Sequence, residues 1–188
     1  MTKSNKFKKV NTMSRRHGQS QSQGAGRSAG IADAVQLGAF ESSIPLHNLQ
    51  DKIKRQPDMY KKEFNNHLEV FQQKLELFKE NPAKKEDEMI EYFKFMAHIS
   101  GVYQEELAEY LSNEMLNILQ QYYSILNPAV RMTLVTCLKI MRGKDVVSPS
   151  VVLPVMLKLF RCEDKQLRKF IHAIVVGDLK RLNLNHKV

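Results

Sequence analysis

The residues that could carry out catalysis or bind a metal are few in this 188-residue sequence, and none are grouped as such chemistry requires. The six histidines share no zinc-ligand spacing with one another or with the two cysteines, Cys137 and Cys162. Cys137 has no nearby histidine to act as its base, so nucleophilic catalysis has no support. The acidic run 86–88 precedes an apolar helical pattern, where carboxylates normally offset the helix dipole. These patterns predict a protein that is not an enzyme and has no metal or cofactor.

Phosphate-binding loops are also missing from the sequence. Residues 24–29 spell the GxGxxA pattern of dinucleotide-binding loops, but that loop works only between a buried strand and a helix. A run of Gln and Ser precedes it here, so the match is accidental. No GxxxxGK[ST] pattern occurs. We therefore expect no small-molecule substrate.

Positive charge is the chemical feature that the sequence does concentrate. The net charge is +9, and residues 1 to 32 contain seven Lys and Arg without a single Asp or Glu. The other 22 basic residues face 20 acidic ones, so the rest of the chain is nearly neutral. A flexible basic segment suits phosphate contacts with RNA, although a solubilising or nuclear-targeting tail has the same composition. The predicted RNA contacts in this segment are Lys3, Lys6, Lys8, Lys9, Arg15 and Arg16.

A second set of cations lies on the predicted helices. These cations are less specific candidates for RNA contact, because the solvent-exposed faces of helices commonly carry such residues. The members of this set are Lys54, Arg55, Arg168, Lys169, Lys180 and Arg181. Arg168 has a counterpart in Arg131, because Asn127-Pro-Ala-Val-Arg131 and Asp164-Lys-Gln-Leu-Arg168 place a cap residue, an apolar residue and an arginine in the same register. We expect these two arginines to bond to neighbouring helix ends.

The elements that must position these residues are predicted to be helices. Residues 1–43 are polar and rich in Gly, Ser and Gln, which predicts a disordered basic arm, and residues 44–188 show helical periodicity throughout. Predicted helices start at Pro45 and Pro57 and then span about 86–100, 105–123, 127–143, 148–160 and 164–182. No alternating strand pattern occurs, so the class is all-α. The 37-residue offset of the matching helix starts predicts a HEAT or armadillo-like repeat, a short α-solenoid, with a generic bundle as the alternative.

Some individual side chains can be assigned to the core from the same pattern. Both cysteines lie in apolar helical stretches and are expected to be small buried hydrophobes. His98 and His172 are expected to be hydrogen-bonded structural histidines, and Phe71 to be fully buried. No run reaches the length of a transmembrane helix, which predicts a soluble intracellular protein with no membrane contact, and a mitochondrial presequence is the alternative reading of the arm.

Five segments of the sequence, in order, carry a resemblance to a known family. The first is Leu46-His-Asn-Leu-Gln-Asp-Lys-Ile-Lys-Arg-Gln-Pro-Asp-Met-Tyr-Lys-Lys-Glu-Phe64. The others are Gln104-Glu-Glu-Leu-Ala-Glu109, Asn127-Pro-Ala-Val-Arg-Met-Thr-Leu134, Leu159-Phe-Arg-Cys-Glu-Asp-Lys-Gln-Leu-Arg-Lys169 and Asp178-Leu-Lys-Arg-Leu-Asn-Leu-Asn-His-Lys187. Together they cover about residues 44 to 187 and resemble the N-terminal region of the Severe Depolymerization of Actin protein family, whose members are longer.

The resemblance implies helical repeats and a nucleolar and nuclear factor for assembly and export of the large ribosomal subunit. The implied partners are pre-ribosomal large-subunit proteins and ribosomal RNA. The family is also associated with organisation of the actin cytoskeleton, so a cytoskeletal or protein-transport adaptor that binds only proteins is the alternative. The resemblance carries over no catalytic residue.

Overall fold

A computed structural model of the chain describes residues 44–185, which are helical almost throughout. The helices are α1 (Leu46–Arg55), α2 (Lys61–Glu80), α3 (Asp87–Ile99), α4 (Glu109–Tyr122), α5 (Pro128–Gly143), α6 (Pro149–Leu159) and α7 (Lys165–Asn185), with a π-helical turn, Gln104–Ala108, directly before α4. Within this part of the chain there is no strand, which confirms the all-α class. The predicted disordered arm, 1–43, and its boundary lie outside the described residues.

The seven helices form two layers. One layer contains α1, α3, α5 and α7, in which each helix packs on the next, and the other contains α2, α4 and α6. Helices that follow one another along the chain connect the layers, as α2 packs on α3, α4 on α5 and α6 on α7. This arrangement is three stacked helix pairs with α1 added at one end of the first layer.

Helices of the same layer run parallel. Lys144 follows the end of α5, and its Nζ donates to the carbonyl of Ala97 near the end of α3 at 3.3 Å. In the other layer, Lys158 near the end of α6 donates to the carbonyl of Gln120 near the end of α4 at 2.8 Å. Parallel helices within each of two layers are the geometry of a two-helix repeat, which confirms the predicted HEAT-like solenoid.

The matching starts of α5 and α7 have matching contacts. Asn127 Oδ1 accepts from the Ala129 N–H at 2.9 Å, and Asp164 Oδ1 accepts from the Leu167 N–H at 3.0 Å, so both residues cap their helices. Arg131 donates to the carbonyl of Leu126, which ends the preceding connection, and Arg168 donates likewise to Cys162. Both arginines thus bond within the protein, but their acceptors lie in the connections before α5 and α7 and not at the neighbouring helix ends that were predicted.

A stripe of phenylalanines on α2 forms the core between α2 and α3. Phe64, Phe71 and Phe78 are at most 1% exposed. The rings of Phe71 and Phe78 meet the ring of Phe93 edge to face, with centroids 5.6 and 6.2 Å apart. Each buried phenylalanine contributes about 1.5–3 kcal/mol through removal of apolar surface from water. The predicted burial of Phe71 is confirmed.

Two helix starts differ from the prediction. Residues 57–60 form turns, and α2 begins at Lys61, because the Tyr103 hydroxyl donates to the carbonyl of Pro57 at 2.7 Å and fixes this segment. The helix expected from residue 105 opens with the π-helical turn at Gln104–Ala108. In this wider turn Leu107 and Ala108, two consecutive residues, are both buried.

The C-terminal end of α5 is closed by a residue other than glycine. Gly143 is the last residue of α5, as predicted, and no described glycine has a positive φ. Asp145 takes the left-handed position instead, with φ 58°, while the N–H groups of Asp145 and Val146 donate to the carbonyls of Arg142 and Met141. These two bonds form a Schellman motif, which usually has glycine at this position.

Candidate nucleic-acid interface

The cations predicted to contact RNA fall in three places. The six arm residues Lys3, Lys6, Lys8, Lys9, Arg15 and Arg16 lie outside the described part of the chain. Lys54 and Arg55 end α1, and Lys180 and Arg181 lie in the last turns of α7. Because the helices of this layer run parallel, these four exposed residues lie at the edge of the stack where α1, α3, α5 and α7 end. We call this edge, formed by residues 52–60, 98–106, 142–151 and 178–181, the charged edge.

The structure adds Lys144 to the cations of the charged edge and places His98 beside it, and sequence reasoning assigned neither to this group. Lys144 Nζ donates to the carbonyls of Ala97 and His98, so it lies over the last turn of α3. Burial lowers the pKa of His98, and the neighbouring Lys144 and Lys54 lower that pKa further. Burial and Lys54 likewise lower the pKa of Lys144. The two positive groups Lys54 and Lys144, from α1 and the end of α5, therefore lie close to each other and to His98, whose lowered pKa favours the neutral imidazole.

Farther along the edge, Arg142 of α5 forms an ion pair with Asp178 of α7, and the two side chains are 7% and 12% exposed. Burial lowers the pKa of Arg142, and the nearby Arg181 lowers it further. Arg181 is therefore close to Arg142 and continues the row of cations from α5 to α7. Sequence periodicity alone did not single out Arg142, since its partner is on another helix.

The remaining predicted cations, Arg168 and Lys169, are not part of this row. They lie in the first turn of α7, at the opposite edge of the stack. Arg168 is half-buried and donates to the carbonyl of Cys162, whereas Lys169 is exposed. The six cations predicted on the helices therefore lie in two places, with four at the charged edge and two at the opposite edge.

Two lysines of α2, Lys74 and Lys79, have acidic partners. Lys74 pairs with Glu88 at 2.9 Å, and Lys79 pairs with Glu76 and Glu114, each at 2.8 Å. Within residues 44–185, Arg55, Lys144, Lys180 and Arg181 have no comparable carboxylate. Cations at helix C-termini also offset the helix dipole, which gives the row a structural role. Neighbouring parallel helices are about 8–10 Å apart, so the row offers cations at this interval to a polyanion that runs along the edge.

Histidine and cysteine assignments can be compared with the structure directly. His67 is the buried histidine, with Nδ1 3.3 Å from the Tyr92 hydroxyl oxygen, whereas His172 is exposed, so the expected structural role of His172 is wrong. His98 is partly buried. Both cysteines are buried, as expected, and burial raises the pKa of the Cys137 thiol to about 12. In the described region no three metal-ligating side chains come together, and no helix there could cross a membrane.

Comparison with known proteins identifies the family. A family model described as "SDA1, HEAT repeat" matches residues 95–188. The chain is 34% identical over 142 residues to the protein SDA1 homolog of Xenopus tropicalis and 32% identical over 142 residues to that of Drosophila melanogaster. Protein SDA1 of Chaetomium thermophilum is 29% identical over 151 residues. Each match covers 76% of this chain and 20% of the relative, so the chain spans about a fifth of the length of these relatives. The chain belongs to the SDA1 family.

Proposed function

We propose that this chain is the helical-repeat part of a non-catalytic assembly factor that acts in biogenesis of the large ribosomal subunit and in its nuclear export. It acts in the nucleolus and nucleus. It binds pre-ribosomal large-subunit proteins through the surface of the helical stack and ribosomal RNA through its cations. The observation that carries this proposal is membership of the SDA1 family, since the resemblance implies ribosome assembly.

The architecture supports a binding role. Stacked helix pairs present long continuous surfaces, and proteins of this kind use such surfaces to bind other macromolecules. The described stack has two contrasting sides. Lys61, Lys74 and Lys79 of α2 are paired with carboxylates, whereas the charged edge keeps a row of cations. A polyanion is therefore directed toward the charged edge.

RNA binding can be measured with two variants of the intact chain. In the arm variant, Lys3, Lys6, Lys8, Lys9, Arg15 and Arg16 are replaced by Gln. In the edge variant, Lys54, Arg55, Lys180 and Arg181 are replaced by Gln. Removing one phosphate contact should reduce the slope of log affinity against log salt by about 0.7 for single-stranded RNA. Removing three or four such contacts should therefore reduce the slope by about 2–3.

A matched control for the edge variant removes the same number of positive charges, four, from cations that have carboxylate partners. The control variant replaces Lys74, Lys79, Lys84 and Lys85 by Gln, and these four lysines all have carboxylate partners. We expect this variant to keep the wild-type slope. If the arm and edge variants both keep that slope as well, the RNA part of the proposal is wrong.

The protein partners are tested by affinity purification of the intact protein followed by mass spectrometry. The proposal requires that proteins of large-subunit precursor particles dominate among the recovered proteins. Dominance of actin-associated or transport proteins would favour an adaptor that binds only proteins. An arm variant that mislocalises but binds RNA normally would assign the arm cations to nuclear transport.

A further inference from the structure

A groove lies at the charged edge between the connection from α3 to α4 and the connection from α5 to α6. Its volume is about 930 Å³, within the range of ligand-binding clefts. Valines form one wall, and three carboxylates from the π-helical turn and the start of α4 form the other. The six residues that define this edge groove are Glu105, Glu106, Glu109, Val146, Val147 and Val151.

The valine wall of the edge groove leaves apolar surface in contact with solvent. Val147 is buried, Val146 is half-buried, and Val151 in the first turn of α6 is 50% exposed. A single exposed valine is common on protein surfaces, so its position in a groove, and not its exposure, indicates a use. An apolar side chain placed against this wall would remove its surface from water.

The acidic wall carries negative charge that the described residues do not neutralise. Glu106 pairs with Lys61, whereas Glu105 and Glu109 are exposed and have no ion-pair partner among the described side chains. No described Lys, Arg or His lines the groove. Lys144 passes its rim, but the ammonium group donates to carbonyls in the last turn of α3 and lies outside the groove. An occupant of the edge groove should therefore be positively charged.

The backbone that carries these carboxylates is attached to the core. Gln104–Ala108 is a π-helical turn, a rare structure that occurs frequently at functional sites. Tyr103 precedes it, and its ring stacks on Phe64 with centroids 4.0 Å apart while its hydroxyl donates to the Pro57 carbonyl. Burial raises the pKa of the Tyr103 phenol, and Glu106 raises it further, in keeping with negative charge at this wall. The acidic wall is thus in place before an occupant binds, which lowers the entropic cost of binding.

We propose that the edge groove binds an extended basic segment of a partner protein, in which Lys or Arg alternates with apolar residues. Successive side chains of an extended chain point to opposite faces, and side chains two residues apart on one face are separated by about 6.6 Å. Glu105 and Glu109 are four residues apart along a helical backbone, which separates their Cβ atoms by roughly 5–6 Å. Two cations of the segment therefore reach both carboxylates, while the apolar residue between them meets the valine wall.

Two side-chain amides of the groove are suited to the backbone of such a segment. Gln104 and Asn113 line the groove, and both are exposed. An amide both donates and accepts, so it can bond to a carbonyl or an N–H of an extended chain. RNA is disfavoured as the occupant, because its phosphates would face the unpaired carboxylates.

This proposal rests on the proposed function in one respect, that the helical stack binds proteins, and it specifies the chemistry of one protein segment that is bound. The edge groove and the row of cations are neighbours of opposite charge at the charged edge. The same edge then holds RNA along its cations and a basic protein segment in the groove beside them.

Fluorescence polarisation of labelled peptides with the intact chain tests the proposal. The probe is the peptide Gly-Ser-Lys-Val-Lys-Val-Lys-Ser-Gly, in which lysine and valine alternate. The control peptide, Gly-Ser-Val-Val-Lys-Lys-Lys-Ser-Gly, has the same composition and charge in a different order. We expect the alternating peptide to bind more tightly, because only this order places the lysines on one face and the valines on the other.

Substitutions in the acidic wall have a matched control elsewhere on the surface. Glu105→Gln/Glu109→Gln should weaken binding of the alternating peptide about two- to thirtyfold, through loss of two exposed ion pairs. Glu69→Gln/Glu163→Gln also removes two exposed carboxylates, but from outside the groove, and should leave the affinity unchanged.

A substitution in the valine wall has its control on the same helix. Val151→Lys should weaken binding of the alternating peptide, because a cation in this wall repels the peptide lysines and pairs with the groove carboxylates. Leu157→Lys should not weaken it, since Leu157 lies outside the groove. The two positions are otherwise alike, because both are on α6 and they are 50% and 51% exposed.

Three outcomes overturn the proposal. The first is equal affinity for the two peptides, and the second is unchanged affinity in Glu105→Gln/Glu109→Gln or in Val151→Lys. The third is a dimer in sedimentation velocity that dissociates in Glu105→Gln/Glu109→Gln, which would make a second copy of the chain the occupant. Loss of peptide binding together with recovery of large-subunit proteins from cells would refute the groove alone. Selective peptide binding without that recovery would refute the proposed function alone.

Discussion

Replacing Phe71 by alanine tests whether the α2 stripe holds the two layers together. The Phe71 ring is completely buried and lies between Phe93, with centroids 5.6 Å apart, and Tyr92, with centroids 6.4 Å apart. Truncation removes this apolar surface and leaves a cavity that α2 and α3 can close only in part. Buried Phe→Ala substitutions of this kind cost about 3–5 kcal/mol. Since a domain of this size is stable by about 5–15 kcal/mol, this cost is a large share of the total.

Urea denaturation followed by circular dichroism measures this cost, and thermal melting checks it. In a domain of roughly 150 residues, 1 kcal/mol changes the melting temperature by about 2–4 °C, so a decrease of about 6–20 °C is expected. The control is Leu77→Ala on the same helix, because Leu77 is 55% exposed and should change stability by less than about 0.5 kcal/mol. A decrease below about 1 kcal/mol for Phe71→Ala, or equal decreases for the two variants, would refute the packing argument.

Three further changes are expected to affect stability. Arg142→Met leaves the largely buried Asp178 carboxylate without its partner and should lower the free energy of unfolding in urea by about 3–5 kcal/mol. Adding Asp178→Leu should recover most of that stability, and no recovery would contradict the ion pair. Asp145→Gly should stabilise the chain by up to about 1 kcal/mol because glycine adopts the left-handed conformation without a Cβ penalty, and a destabilised variant would count against the Schellman motif. Burial lowers the pKa of His67, so the unfolded chain binds a proton that the folded chain does not, and stability should fall as the pH drops below about 6.5. In His67→Gln the midpoint of urea denaturation should depend less on pH between about 7.5 and 5.5. An unchanged pH dependence would assign the acid sensitivity to other groups.

Features that depend on short stretches of sequence could be predicted. The cap residues Asn127 and Asp164 and the following arginines recur in register, and the structure shows both caps and gives the two arginines equivalent contacts with the preceding connections. The apolar stripe of α2 similarly determines which face is buried, as Phe71 shows. Such features follow from helix geometry, because residues three and four apart share a face and a cap acts within one turn.

Features that depend on contacts between distant residues could not be predicted. Lys144 lies over the end of α3, 47 residues away from Ala97, and no local pattern indicates that contact. The π-helical turn and the late start of α2 are linked through the Tyr103–Pro57 hydrogen bond between residues 46 apart. His67 and His172 both lie in mixed polar and apolar stretches, and packing of α2 against α3 decides which is buried. The charged edge likewise arises from the side-by-side arrangement of helix ends, which no local pattern specifies.

The most direct test of the proposed function is the precursor RNA recovered with the intact protein. The protein is crosslinked in cells and purified under denaturing conditions, and the bound RNA is sequenced. We predict enrichment of large-subunit precursor ribosomal RNA over small-subunit precursor RNA, with a marked reduction in the arm variant. Equal recovery of both precursors, or recovery of neither alongside actin-associated proteins, would contradict a role in assembly of the large subunit.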